Sequence, residues 1–183
     1  MNNVINRKAV VIKALVALGA VIGAVALPQI FHLIGVVSGT GAAVGAALLP
    51  MHIPVLLAGF LGGPVAGLMA GVLSPVLSFA LTQMPAAALL PFMVIELGVY
   101  GLMAGLLSRV KLNGFVKLLI VQVAGRLARA AATLAAVYIF GNTAFTAEAA
   151  WTFVTAGLFG ILIQWALVPY LSEKLQGIRK LYE

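Results

Sequence analysis

Two arginines, Arg126 and Arg129, stand three residues apart in a stretch otherwise dominated by alanine, leucine and valine. Residues at that spacing share one face of a helix, so the two guanidinium groups project together. Each lies about 12 residues from the nearer end of the apolar segment 115–140, or about 18 Å at 1.5 Å per residue. Charges at such depth cost several kcal/mol unless they are paired or reach a watery cavity, so both are expected to face the interior of a helix bundle. Glu96 is the only acidic residue inside an apolar segment, and a neighbouring antiparallel helix would bring it to Arg129. One carboxylate cannot neutralise two guanidinium groups, and arginine forks match carboxylates bidentately. The leftover positive charge therefore points to a cavity for an anion, such as the carboxylate of a small water-soluble molecule. The competing reading is that Glu96 and backbone carbonyls satisfy both arginines for structure alone.

Two proline-marked loops supply further candidates. In Leu49-Pro50-Met51-His52-Ile53-Pro54 the prolines hold the intervening residues extended. Met51 and His52 could then meet a ligand at a cavity mouth; alternatively, His52 only bonds a neighbouring backbone group. Thr82-Gln83-Met84-Pro85 ends a later apolar segment on the same side, which makes Gln83 and Met84 candidates for a lid. His32, Trp151, Trp165 and Tyr170 read instead as membrane-interface residues.

Absent motifs narrow the chemistry. The chain has no cysteine and no aspartate, and only two histidines, so thiol catalysis and thiolate metal sites are excluded. It has no G-x-x-x-x-G-K-[ST] loop, no H-E-x-x-H and no G-x-S-x-G. The chain is therefore expected not to be an enzyme: no catalytic residue, metal ligand or cofactor is assigned, and ATP hydrolysis in the usual way is ruled out.

The elements that would position these residues follow from composition. Of 183 residues, 63% are hydrophobic and 8% charged, whereas a soluble domain is about a quarter charged. No charged residue lies between Lys13 and Glu96, room for several spans of about 20 residues. Neither a cleavage site nor a polar mature domain follows the first apolar stretch, which is expected to remain as a membrane helix. The net charge of +7 collects in three clusters, Arg7 with Lys8 and Lys13, Arg109 with Lys111 and Lys117, and Lys174 with Arg179 and Lys180. Such clusters at span ends set orientation in a lipid bilayer rather than bind nucleic acid, and they place both termini in the cytoplasm.

An even number of crossings between clusters gives spans at about 9–30, 54–62, 64–81, 92–108, 115–140 and 149–171. The expectation is an all-α, six-helix integral membrane bundle of one domain, 1–183, in the cell membrane, with an outward-facing substrate cavity and lid-like outer loops. Gly62-Gly63-Pro64 would turn the second span into the third, since glycine permits unusual backbone angles and proline starts a helix. A rival topology makes 35–49 a span and 55–81 one long kinked helix. The glycine-rich composition of 35–45 favours an ordered loop there. Small residues four apart, such as Gly67 with Gly71 and Gly101 with Gly105, suit close packing of helices in lipid.

The run from Leu49 to Phe60, continuing through Gly63-Pro64, Gly67 and Gly71 to Ser74-Pro75 and Met84-Pro85, resembles the S components of energy-coupling factor (ECF) transporters. Glu96 with Tyr100-Gly101, Gly105-Leu106-Leu107 and Gly125-Arg126 fit the same pattern, and the resemblance covers residues 9–171. It implies a six-helix subunit that captures a vitamin or similar micronutrient from outside. It also implies a coupling transmembrane subunit and two ATPases as partners, which make the subunit topple and release its cargo inside. In that family an Ala-x-x-x-Ala pattern on the first helix docks the coupling subunit; Ala20 and Ala24 match it, and Gly19 and Gly23 offer a shifted version. The substrate group it suggests spans pantothenate, folate and pyridoxine, and the arginines favour an acidic cargo, with pantothenate ahead of folate by size. Met51-His52-Ile53 is also similar to a nickel and cobalt motif, but its internal position removes the terminal amine that motif uses. A self-sufficient channel or facilitator is the alternative function, and a membrane enzyme or assembly factor a further one.

Overall fold

A backbone in hydrocarbon has no water to bond, so it must satisfy its own N–H and C=O groups, and a helix does this within one segment. The computed structural model describes residues 7–41, 43–155 and 157–182, and among these the regular structure is helical, with no strand. The helices are α1 (Arg7–Val37), α2 (Ala43–Leu48), α3 (His52–Gly62), α4 (Pro64–Thr82), α5 (Leu90–Leu107), α6 (Gly114–Tyr138), α7 (Ala147–Thr155), α8 (Leu158–Lys174) and α9 (Gln176–Lys180). Four of them, α1, α4, α5 and α6, are long and apolar enough to cross a membrane, and α3 is a shorter apolar helix.

The distribution of side chains inverts that of a water-soluble bundle. Leu15, Leu18 and Ile22 on α1, Leu127 on α6 and Leu162 on α8 are exposed, whereas Glu96, Gln122, Arg126, Arg129, Thr133 and Gln164 are buried. Lipid tails solvate the leucines as well as a protein core would, so the interior is left to small and polar groups.

Glycine sets the tightest packing. A Cβ at Gly67 would strike the Gly101 carbonyl, one at Gly101 would strike the Gly67 carbonyl, and one at Gly71 would strike the Leu97 carbonyl. The backbones of α4 and α5 thus touch directly, and the pairs Gly67 with Gly71 and Gly101 with Gly105 lie within the molecule. Between α3 and α4 the chain reverses at Gly63, whose φ of 87° suits glycine, and Pro64 opens α4. The turn expected at Gly62-Gly63-Pro64 is present, and the rival long helix over 55–81 is not.

Contacts at the helix ends fix their alternation. Lys13 Nζ sits 4.9 Å from the centre of the Tyr182 ring, the Tyr182 hydroxyl donates to the Leu61 carbonyl, and Arg179 Nη1 donates to the Ser108 carbonyl at 2.8 Å. All three basic clusters therefore gather at one end of the bundle. At the other end Gln29 Nε2 donates to Thr82 Oγ1 at 3.3 Å, and Phe92 meets Phe145 edge to face at 5.2 Å.

The helix bounds differ from the expected spans in two places. The first helix does not stop near residue 30 but runs through Pro28 to Val37; one proline removes a single donor, a loss that neighbouring groups make good in membrane helices. The expected sixth span, 149–171, is two helices, α7 and α8, divided around Gly157; residue 156 lies outside the described residues. A Cβ at Gly157 would come 2.5 Å from both Leu49 Cδ1 and Arg126 Nη2, so the Leu49 side chain and an arginine pack directly against the backbone there. Finally, Ala24 is fully buried and Ala20 half-buried against the core. Ala24 thus packs within the bundle, and Ala20 lies at its margin.

Candidate functional site

Helical spacing assembles the site. On α5 the buried face carries Phe92, Glu96 and Tyr100 at intervals of four, and on α6 it carries Gln122, Arg126, Arg129 and Thr133 at intervals of three and four. Glu96 lies six residues into α5, about 9 Å along the helix from its start. Since α5 and α6 run in opposite directions, Glu96 meets the arginines near mid-helix. Arg129 Nη1 donates to Glu96 Oε2 at 2.6 Å, and Arg126 Nη1 lies 3.2 Å from Oε1. The carboxylate is fully buried, and the two arginines are 7% and 8% exposed, so solvent screens this cluster little.

His52 comes to the same carboxylate from α3. Its Nε2 is 3.8 Å from Glu96 Oε1, too long for a hydrogen bond, and its ring meets Tyr100 edge to face at 5.2 Å. Gly125 makes room for that tyrosine, because a Cβ there would reach 2.7 Å from the ring. Both His52 ring nitrogens and the Tyr100 hydroxyl are buried with no hydrogen-bond partner among the described residues. Buried polar atoms are nearly always bonded, which sets these three atoms apart from most of the interior.

One turn from Arg126 toward the basic end lies a second polar group. Gln122 Nε2 donates to Gln164 Oε1 at 3.0 Å, and Trp165 Nε1 donates to Gln122 Oε1 at 2.5 Å. This ties α6 to α8 through buried amides. On the opposite side of Arg126, the Leu48–Leu49 loop packs against Gly157 and Gly160, with Leu49 held at a φ of 49°.

The sequence candidates divide accordingly. Glu96, Arg126, Arg129 and His52 come together, with Met51 buried beside them in the chain. Gln83 and Met84 stay on the loop after α4, Gln83 exposed and Met84 half-buried. Among the described residues, no hydrogen bond or ion pair joins either to Glu96. Tyr100, Gln122 and Gln164 were missed as site residues, although Tyr100 stands four after Glu96 and Gln122 four before Arg126, the spacing that shares a helix face. Gln164 gave no such signal, being placed by the packing of α8. Among the described residues, no three His, Cys, Asp or Glu side chains meet.

Among the described residues, one carboxylate is shared by two guanidinium groups. A cavity opens elsewhere, at the basic end, between α3, α6 and α8. A family model described as the substrate-specific component of ECF transporters matches residues 7–172. No curated protein and no solved structure matches the chain.

Proposed function

The chain belongs to the family of substrate-specific components of ECF transporters, and from that premise we propose that Arg126 and Arg129 seat an anionic micronutrient captured from outside. Members of this family are transporter subunits and not enzymes. The chain is accordingly the substrate-binding subunit of such a transporter, a multi-pass membrane protein that works with a coupling transmembrane component and ATPases.

One observation carries the proposal: a single fully buried carboxylate serves two buried guanidinium groups. Glu96 keeps the arginines in the interior while no cargo is held. A cargo carboxylate entering beside Arg126 supplies the second negative charge, and the pairing then balances in a medium where each unit of imbalance is costly. Arg126 is the better candidate for direct contact, since its approach to Glu96 is the longer one. Glu96 positions both arginines, and His52, Met51 and Tyr100 form the wall beside them. Gln83 and Met84 would act from the outer loop as part of a lid that closes only with cargo inside.

The reading includes six crossings, with α3 and the preceding α2 forming one and α7 with α8 another. Both termini are cytoplasmic by the positive-inside rule, the substrate cavity opens outward, and the ATPases drive delivery. A cargo of the pantothenate, folate or pyridoxine class suits the site, pantothenate best, because it joins one carboxylate to a small polar body. Calorimetric titration of the purified subunit with pantothenate tests this. Wild type binds it and Arg126→Ala binds it about 10- to 100-fold more weakly, the worth of one charged hydrogen bond. Equal affinity in the two proteins would sink the electrostatic assignment.

A further inference from the structure

At the basic end, a cavity of about 170 Å³ opens between α3, the start of α6 and the end of α8. Its wall runs from the fully buried Val168, past Pro169 and Ser172, to Lys117 and Arg179, with Glu173 on the exposed side. Lys117 Nζ donates to the Ser108 carbonyl at 3.4 Å, and Arg179 Nη1 donates to the same oxygen at 2.8 Å. Two cations from helices distant in sequence thus converge on one oxygen at the rim of a cavity. An ammonium carries three donors, and the Ser108 carbonyl takes one of those on Lys117 at a long distance.

We infer that this cavity binds a phosphate group, and that the group belongs to the headgroup of an anionic phospholipid. Size permits it, since 170 Å³ exceeds the share of several waters at about 30 Å³ each. Charge favours it: the lining holds two cations against the single carboxylate of Glu173, and Arg109, Lys111, Lys174 and Lys180 stand nearby in the chain. Shape separates a lipid from free phosphate. The wall is apolar at Val168 and Pro169 and cationic at Lys117 and Arg179, the polarity gradient of a phospholipid where its phosphate meets its glycerol and acyl chains. Basic pockets between helices on the cytoplasmic side recognise such headgroups. The site is separate from the Glu96 cluster and does not depend on the cargo assigned there.

Nanodiscs of phosphatidylcholine containing a minor fraction of phosphatidylglycerol provide the test. Native mass spectrometry after release into mild detergent reads which lipid stays on the protein. Wild type is expected to retain phosphatidylglycerol selectively, Lys117→Gln with Arg179→Gln to lose about tenfold of that retention, and Lys117→Arg with Arg179→Lys to keep it. The charge-preserving pair guards against simple misfolding, because both pairs remove the native donors to Ser108 while only one removes the charge. Retention of phosphatidylcholine equal to that of phosphatidylglycerol overturns the inference, as does equal retention in the wild type and the glutamine pair, or loss in both pairs. If wild type holds no lipid but inorganic phosphate raises its thermal unfolding midpoint and fails to do so in the glutamine pair, the phosphate site stands and its lipid source is overturned.

Discussion

Arg129 and Glu96 form the shortest charged contact described in the bundle interior, 2.6 Å between Nη1 and Oε2, and they join α6 to α5 where both are buried. Arg126 shares the same carboxylate through its other oxygen. Under the proposed function the two arginines have unequal tasks, Arg129 holding the bundle and Arg126 meeting the cargo.

Removing the shared acid leaves two guanidinium groups without their common partner. Glu96→Ala is expected to lower stability by about 3–5 kcal/mol, the usual cost of breaking a buried pair. Thermal unfolding of the purified protein in detergent checks this, and an unchanged midpoint would show that the carboxylate does not hold the bundle.

The arginines should respond differently. Arg129→Ala is expected to act mainly on stability, whereas Arg126→Ala acts mainly on cargo affinity, and a cycle of single and double substitutions with Glu96→Gln measures each coupling. Coupling of Arg129 to Glu96 should fall at the upper end of about 0.5–3 kcal/mol. A larger coupling for Arg126 than for Arg129 would reverse the assignment.

Much of this cluster was legible beforehand because charge in an apolar helix has few places to go. Arg126 and Arg129 had to face inward, and Glu96 was the one acid in reach, so their meeting followed from the cost of exposure to lipid. The loop residues obeyed no such constraint. Gln83 and Met84 are short of charge and satisfied wherever they lie, and nothing in their spacing fixed how far from Glu96 the α4–α5 connection would sit. Helix ends were hidden for a related reason. Pro28 looked like a stop although a membrane helix can pass through it, and the division at Gly157 lies against Leu49 and Arg126, residues remote in sequence. Ala20 and Ala24 carried a spacing that fits either an internal or an external contact, and only packing puts Ala24 inside.

The α4–α5 contact gives a sharper test of packing than of charge. Gly101→Ala places a methyl against the backbone of Gly67, where no flexible side chain can yield. Overpacking of this kind costs about 1–3 kcal/mol, so the unfolding midpoint should fall. The same substitution at Gly19, where a Cβ meets nothing within 4 Å, should leave it unchanged. Equal behaviour of the two variants would refute the close approach.

Orientation can be read directly because the chain has no native cysteine. Single cysteines at Asn142 and at Lys111 should label with an impermeant maleimide in opposite ways: the first in intact cells, the second only after permeabilisation. Labelling of Lys111→Cys from outside would invert the topology.

Transport itself should require the partners. Vesicles containing this chain alone should show no cargo accumulation, and vesicles that also contain the coupling component and ATPases should accumulate it on addition of ATP. Accumulation or equilibration by the lone chain would instead support a self-sufficient facilitator.

Tyr182 closes the basic end by touching Lys13 of α1 and the Leu61 carbonyl of α3. One ring thus joins the basic ends of two helices that are separate in the chain. Any motion that draws the feet of α1 and α3 apart must therefore break both contacts of Tyr182 together, so the two helices are expected to move at that end as one piece.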